Sequence, residues 1–404
     1  ISNMRILKLL IFLFTISISN IYGQNNLIEV LKKEGLQNLQ YHEDENNIYL
    51  SYENNRYRFE AEAMAFVLKA INNSFELKNK QVSILIKHKG IAMSLLKTSL
   101  KNLRLLNSKE ISFEEWSKNS VFTIKTDGVE HKLNNEKLIS KSFGKIDVPV
   151  GLQLDYQLGN FDNAIRLRLN IQPEITTVFS KGWTASANYS ITTFNDLSET
   201  TKPRLVIARI SKDLRYKNIM INISGGSFTR NRLGLSTLAH YYFLNSEQFR
   251  IEGSYSKTNF GYFDSNFSIY TREQNREMYY LGINYRNIKF NTDINFRYGK
   301  HLYQDTGFKL NITRQINEVF IGFFIHQSKG VAKRNVGFEF QVPIGTKKHL
   351  KPKAVRPMTK EFFYLPYYYS GSGAGFNFYA GENALINMKE YFPGTIRTGL
   401  KKYF

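Results

Sequence analysis

Charged residues recur at every second position in several extended stretches of the chain, and they are the first candidates for chemistry. They would share one face of a strand, because successive strand side chains point to opposite sides. A face of arginine, aspartate and glutamate can bind or pass an anionic polymer, or its charges can pair with one another and serve only as a polar core. The candidate ligand-binding residues on this face are Arg166, Arg168, Arg250, Glu252, Arg286, Asp293 and Arg297.

These charges lie in segments that alternate between apolar and polar residues. In the segment 290–298, Ile294 and Phe296 fall on one side of a strand, and Asp293 and Arg297 fall on the other. Most such segments approach the roughly 9–11 residues of a transmembrane strand and exceed the about 5–6 residues usual in a soluble sandwich. The predicted strands are 150–158, 164–171, 182–192, 204–212, 217–228, 234–244, 247–257, 266–271, 278–287, 290–299, 307–314, 318–326 and 335–342.

The alternation predicts a mainly β protein, in which a transmembrane antiparallel β-barrel of about 12–14 strands turns its apolar residues towards lipid. The aromatic content of 14%, with 25 Tyr and 31 Phe, fits the aromatic belts of such a barrel. A mean hydropathy of −0.36 is too low for a helical membrane protein. It is compatible with a barrel, because alternation hides the apolar band in the average.

The charge balance and the absence of cysteine narrow the chemistry. A net charge of +21 favours an acidic partner, such as anionic lipid or an acidic polymer. The basic residues form no arginine-rich block, so we expect no nucleic-acid partner. With no cysteine in the chain, a disulfide framework, a cysteine-ligated metal, a thiol nucleophile and an N-terminal lipoprotein anchor are excluded.

The N-terminal residues have the pattern of a secretory signal peptide. Positive charges just after Met4 precede an apolar run over 9–18, which is too short to span a bilayer. We expect cleavage after Gly23, so that 1–23 is the signal peptide, and we expect residues 1–3 to lie upstream of the start methionine.

A small α+β domain is predicted between the signal peptide and the barrel. The segment 61–71 has apolar residues at the i, i+3, i+4, i+7 spacing of an amphipathic helix, and short extended runs surround it. A shorter helix is predicted near 27–33. We assign 25–145 to a periplasmic α+β domain with its linker, and 146–404 to the barrel.

The tail of the chain is the least regular part. The aromatic run 362–369 predicts a girdle or a loop packed on the barrel rim, with stacking on sugar rings as the alternative. The final stretch, 395–404, alternates and ends on Phe404, which predicts the last strand of the barrel. A terminal aromatic residue of this kind is what outer-membrane barrels offer to their insertion machinery.

Residue spacing indicates neither a metal site nor a catalytic site. No Gly-x-Ser-x-Gly elbow occurs, and we find no i, i+4 histidine pair and no acidic neighbour at ligand spacing. We therefore expect no enzyme, no metal and no cofactor. An outer-membrane hydrolase whose serine, histidine and acid meet only in space stays open as a third alternative. The histidines lie far apart: His42, His88, His131, His240, His301, His326 and His349.

Three regions resemble a known family. They are 36–57, with Tyr-Glu-Asn-Asn-Arg-Tyr at 52–57, the glycine-rich 222–242, and the strand-like 304–343. They look like the YjbH-like outer-membrane proteins of exopolysaccharide biosynthesis, over about residues 27–345. The resemblance implies a non-enzymatic role in producing or exporting an extracellular polysaccharide, from the cell outer membrane, with the N-terminal domain in the periplasm.

The resemblance leads to one hypothesis and one main alternative. In the hypothesis, the periplasmic domain docks periplasmic export proteins, while Arg166, Arg168, Arg250 and Arg297 contact an anionic polysaccharide. In the alternative, the chain is a general porin or a structural envelope barrel, and its charges serve packing alone. Outer-membrane lipid is an expected partner in both.

Overall fold

The computed structural model describes most of the chain. The predicted signal peptide, 1–23, and the last residue of the aromatic run 362–369 lie outside the described residues. Those described are 26–75, 79–159, 163–197, 202–243, 246–329, 334–368 and 391–404.

The described elements are mostly strands, arranged in two sheets. The helices are α1 (26–34), α2 (Glu60–Ser74), α3 (Leu100–Asn107), α4 (Phe113–Lys118), α5 (Asp127–Leu133) and α6 (Pro393–Leu400). The strands of the smaller sheet, in spatial order, are β1 (Gln37–Glu43), β2 (Asn47–Glu53), β3 (Gln81–His88), β4 (Ile91–Ser99) and β5 (Val121–Thr123).

The larger sheet has 14 strands. Twelve of them follow one another in space as they do in the chain: β6 (Lys145–Leu158), β7 (Ile165–Ser180), β8 (Trp183–Asn195), β9 (Arg204–Tyr216), β10 (Ile219–Phe228), β11 (Arg232–Tyr242), β12 (Phe249–Phe263), β13 (Ile269–Asn287), β14 (Thr292–Lys300), β15 (Thr306–Ile316), β16 (Val319–Ser328) and β17 (Asn335–Pro343). The two edge strands are β18 (Val355–Thr359) and β19 (Phe362–Tyr368).

The smaller sheet packs against helices to form what we call the N-terminal unit, residues 26–133 together with α6. Helix α2 places Met64, Val67, Leu68 and Ile71 fully inside this core, which confirms the helix predicted over 61–71. Strands β2 and β3 are parallel, because α2 carries the chain back across the sheet between them.

Helix α6 belongs to the core of the N-terminal unit, so the prediction of a terminal barrel strand over 395–404 is wrong. Ile396 and Leu400 are buried in that core, and the Phe404 ring stacks on Trp116 with centroids 6.4 Å apart. The two apolar residues are four apart, which suits a helix face as well as an alternating strand. Pro393 at the start of α6 favours the helix, because proline suits its first turn.

The large sheet has a short-turn end and a long-loop end. Two-residue turns at 181–182, 217–218 and 317–318 lie at the short-turn end. Most connections at the long-loop end are longer, for example 196–203 and 264–268. Between β6 and β17, the exceptions are 229–231 at that end, with three residues, and 243–248 at the short-turn end, with six. The two segments predicted at 266–271 and 278–287 are one 19-residue strand, β13, which corrects the strand list.

One segment of chain pairs with both edges of the twelve-strand run. Strand β18 pairs with β6 in parallel, and β19 pairs with β17 antiparallel. Only Lys360 and Glu361 separate β18 from β19. The Tyr156 hydroxyl of β6 also donates a hydrogen bond to the Pro366 carbonyl of β19, at 2.8 Å. Strands β6 and β17 are thus held against the same segment, 355–368.

The two faces of the large sheet have reversed polarity compared with a soluble protein. Phe296 and Tyr298 on β14 are 46% and 58% exposed, whereas Asp293 and Asn295 on the same strand are 7% and 9% exposed. The apolar residues therefore lie on the exposed face of the sheet, and the polar residues lie on its buried face, which we call the interior. This finding confirms the alternation predicted for 290–298 and excludes a dry apolar sandwich.

The docking of α6 leads to a first prediction. Leu400→Ala should lower the free energy of unfolding of the N-terminal unit by about 2–5 kcal/mol, because it leaves a cavity in a closed core. The chain has two tryptophans, so Trp116 fluorescence in a Trp183→Phe background can report urea unfolding of this unit alone. Lys402→Ala, at an exposed position of the same terminus, is the control. Equal unfolding midpoints for the two variants would contradict the docking.

Candidate functional site

An ion pair between strands β12 and β14 lies buried in the interior. Glu252 and Arg297 are both paired with Gly282 of the intervening strand, and the Arg297 guanidinium donates to the Glu252 carboxylate. A Cβ atom at Gly282 would lie 3.0 Å from both side chains. The missing side chain therefore gives the ion pair its space. Asn295 donates a second hydrogen bond to Glu252, at 3.0 Å.

A second ion pair lies nearer the short-turn end. Arg286 and Asp293 are directly opposite on β13 and β14, with 2.8 Å between nitrogen and oxygen. The guanidinium groups of Arg250 and Arg286 lie 5.7 and 5.5 Å from the centre of the Phe392 ring, at cation–π distance. Arg286 also donates to the Thr395 hydroxyl at 2.6 Å. The C-terminal segment thus fills this part of the interior.

Hydrogen bonds and the Phe392 contact join these pairs into one group. Asn284 accepts from Arg250 at 3.2 Å and from Asn295, which continues to Glu252. The structure brings together five of the seven candidates in what we call the interior charge cluster: Arg250, Glu252, Arg286, Asp293 and Arg297.

The other two candidates lie apart from this cluster. Arg168 pairs with Asp155 on the neighbouring strand, at 2.8 Å. Arg166 donates to the Asp196 carbonyl at 2.8 Å, at the long-loop end. Of the seven, Arg168 alone lines the cavity described next.

A cavity of about 1230 Å³ occupies the part of the interior beside β6 to β9. It extends from Glu60 and Tyr391 at the N-terminal unit to Lys202 and Arg230 at the long-loop end. Basic side chains outnumber acidic ones among its lining residues. The arginines among them are Arg58, Arg168, Arg204, Arg209, Arg230 and Arg356.

Sequence reasoning missed the cavity arginines of strand β9 because a bulge changes the strand's alternation. Leu205 pairs with Tyr189 and Ile207 with Asn188, so Val206 is the extra residue. A bulge of this kind reverses which residues point inwards on its two sides. Arg204 and Arg209 are an odd number of residues apart, yet both line the cavity. Strict period-two reading would place them on opposite faces.

Arginine contacts hold the N-terminal unit against the short-turn end of the sheet. Arg58 of the unit donates to two main-chain carbonyls of the segment 344–345, each at 2.7 Å. Arg215 of β9 donates in the other direction, to the main-chain carbonyls of Ala92, Met93 and Ile124. The N-terminal unit therefore forms the floor of the cavity at this end.

The floor of the cavity includes a buried carboxyl group. Burial raises the pKa of Glu60 to about 7, although the hydrogen bond donated by the Tyr52 hydroxyl opposes this shift. Glu53 nearby raises the pKa of Glu60 further. Glu60 is therefore protonated over much of the range below neutral pH.

Two histidines and an aspartate come together at the long-loop end. One potential ligand atom from each of His301, Asp305 and His326 lies within 4.8 Å of the other two. From residue spacing we expected no metal site and no acidic residue at ligand spacing, so this group was not predicted. Asp305 in fact follows His301 by four residues, and only the fold brings in His326.

The family model described as exopolysaccharide biosynthesis protein YbjH matches residues 17–268, which is more than half of the chain. The chain belongs to the YjbH exopolysaccharide biosynthesis family. The family resemblance found in the sequence is thereby confirmed. No curated protein matches the chain.

The chain is also similar to solved structures, and one of them is the crystal structure of Pseudomonas aeruginosa OccK2 (OpdF), at 13% identity and a TM-score of 0.26. The similarity covers 50% of this chain and 60% of that one. Among the described residues, the helices are all too short or too polar to cross a membrane.

The interior charge cluster leads to a second prediction. Arg297→Gln should lower the free energy of unfolding of the large sheet by about 3–5 kcal/mol, because it leaves the fully buried Glu252 charge without its partner. Arg166→Gln, which loses contact with one carbonyl near the rim, should change it by less than about 1 kcal/mol. The unfolding free energy of both variants is measured on unheated gels, from the loss of the folded band as the urea concentration rises. A smaller effect for Arg297→Gln than for Arg166→Gln would contradict the assigned roles.

The buried carboxyl group leads to a third prediction, for which the sign follows from linkage. The pKa of Glu60 is raised in the folded state to about 7, from an ordinary value of 4.5. The stability that Glu60 contributes is therefore fully present below about pH 4.5, and it is lost as the pH rises through about 7. Stability of the N-terminal unit should fall by about 2–3 kcal/mol between about pH 5 and about pH 8 on this account.

Glu60→Gln should remove that pH-dependent part, which Trp116 fluorescence in the Trp183→Phe background can follow. Glu45→Gln, at an exposed turn, is the matched control and should keep the slope of the unmodified chain. A Glu60→Gln variant with an unchanged slope would rule out Glu60 as its source.

Proposed function

We propose that this protein is an outer-membrane β-barrel that contributes, without enzymatic activity, to the production or export of an extracellular polysaccharide. In this proposal the N-terminal unit lies in the periplasm and the basic cavity contacts an anionic stretch of the glycan. The observation that carries the proposal is the basic cavity, which extends from the N-terminal unit to the long-loop end in a member of an exopolysaccharide family.

The reversed polarity of the large sheet supports a position in the membrane. Exposed apolar side chains in an aqueous setting would be a large unfavourable patch, whereas in lipid they face a matching solvent. Strands β7 and β12, with 16 and 15 residues, are long enough to cross at a tilt. Membrane strands also need every backbone group paired, which favours a closed sheet.

The segment 355–368, which pairs with both edges of the twelve-strand run, supports closure of the large sheet into a barrel. Its first part pairs with β6 and its second part with β17, so neither strand is left as a free edge along that part of its length. We infer that β18 and β19 together act as a single strand, the thirteenth of the barrel. The barrel then closes with one parallel pairing, between β18 and β6. An odd strand number is unusual but known among membrane barrels.

The end-to-end asymmetry supports the proposed orientation. Outer-membrane barrels have short turns on the periplasmic side and longer loops outside. The N-terminal unit docks at the short-turn end through Arg58 and Arg215. It would then face the periplasm, where export proteins could reach it. The long-loop end, with Lys202 and Arg204 at the cavity, would face outwards.

The basic lining of the cavity suits binding of an acidic polymer better than unselective passage of small solutes. Several basic groups in an enclosed space raise the local concentration of an anionic chain, and each further contact forms at high effective concentration. The N-terminal unit, on the floor, narrows the path that a general porin keeps open. The charge cluster fills the other part of the interior and does not share in this contact.

The fourth prediction tests the cavity. Arg204→Gln combined with Arg209→Gln should lower surface polysaccharide at least about twofold, because both substitutions remove positive charge from the cavity. Surface polysaccharide is measured on whole cells by glycan staining, with each variant expressed at the level of the unmodified protein. Barrel assembly is checked by the change in gel mobility on heating, and it should stay intact.

Lys217→Gln combined with Lys289→Gln is the matched control, because it removes two charges from exposed turns at the short-turn end. It should leave surface polysaccharide unchanged. Normal polysaccharide in the cavity variant, with normal barrel assembly, would reject the role of the cavity. It would favour the alternative of a structural envelope barrel.

A further inference from the structure

We propose that His301, Asp305 and His326 form a binding site for a divalent first-row transition metal ion, with Zn²⁺ as the ion that fits best. Imidazole nitrogen and carboxylate oxygen are donors that zinc accepts. Their potential ligand atoms lie within 4.8 Å of one another. Atoms each about 2.1 Å from one tetrahedral ion lie about 3.4 Å apart, so the side chains need to close by little more than about 1 Å.

The backbone already holds the three residues in place. The His301 amide donates to the Asp305 carbonyl at 2.8 Å, and the Gln304 amide donates to the His301 carbonyl at 3.0 Å. The turn between β14 and β15 is therefore compact and carries two of the ligands. His326 on β16 reaches the same place from the next hairpin, and its ring meets that of His301 edge-on, with centroids 4.7 Å apart.

Ser328 determines which nitrogen of His326 is available. A serine hydroxyl has one proton to donate, and Ser328 donates it to the Asp305 carboxylate. The 3.1 Å contact between Ser328 Oγ and His326 Nε2 then requires the imidazole to be the donor. Nδ1 of His326 is left with a lone pair, and it is buried with no hydrogen-bond partner among the described residues.

That arrangement is the one a metal ligand needs. Metal-bound histidines donate their other ring N–H to an oxygen, which fixes the tautomer and the ring orientation. Ser328 Oγ is that oxygen for His326. The side chain of His326 is 2% exposed, so water does not offer Nδ1 an easy substitute for an ion. Three protein ligands leave a further coordination position for water.

The site is separate from the proposed glycan contact. His301, Asp305 and His326 do not line the cavity. In the bound state the ion would tie the β14–β15 turn to β16 at the long-loop end. Failure of the metal proposal therefore leaves the polysaccharide proposal standing, and the reverse also holds.

The fifth prediction concerns zinc binding by the full chain, folded in detergent and stripped with a chelator. After dialysis against Zn²⁺, the unmodified chain should retain about one zinc more than His326→Gln or Asp305→Asn, measured by elemental analysis. With Co²⁺ as the probe, the visible absorption of a nitrogen- and oxygen-ligated ion should appear in the unmodified chain only. Ser328→Ala, which removes the positioning oxygen, should weaken zinc binding by about tenfold or more.

His240→Gln is the matched control. His240 is equally buried on the same interior face, and it lies 3.8 Å from Glu252. It should bind zinc like the unmodified chain. A change in gel mobility on heating shows that each variant is folded. Two ligand variants are used, so that the test still stands if one of them does not fold. An unmodified chain without zinc, full binding in both ligand variants, or loss of zinc in His240→Gln would each overturn the proposal.

Discussion

The structure depends on the pairing of charges inside the large sheet, where water is scarce and each lone charge is costly. Gly282 shows how closely the backbone follows this need, because its missing side chain lets Glu252 and Arg297 meet across the strand between them. The paired charges fill one part of the interior and leave the other part, beside β6 to β9, as a cavity with basic walls.

The same buried charges also contact the C-terminal segment, which reaches the N-terminal unit. Phe392 offers its ring face to Arg250 and Arg286, and a few residues later α6 enters the core of the N-terminal unit. A single C-terminal segment thus stabilises the interior cluster and fixes the unit that forms the cavity floor. A change in the position of the N-terminal unit would disturb both sets of contacts, so we expect it to move little on its own.

Local periodicity was enough to predict most of the strands, the sidedness of 290–298 and the helix over 61–71. It failed where a second physical rule competed with it. A spacing of four residues at Ile396 and Leu400 fits a helix as well as a strand, and the partner core decided between them. The bulge at Val206 reversed the alternation of β9, so the cavity arginines were missed. The His301, Asp305 and His326 group needed two hairpins to come together, which spacing along one chain does not show.

Most of the arginines that stand out in the sequence do not line the cavity. Arg286 and Arg297 lie where β13 and β14 pair regularly, and each has an acidic partner at close range. Paired charges cancel at a distance, whereas Arg204 and Arg209 add positive charge to the lining of the cavity. The bulge at Val206 shifts the cross-strand register between these two arginines. Irregular backbone can thus bring basic side chains that are an odd number of residues apart to one cavity, as strictly alternating backbone would not.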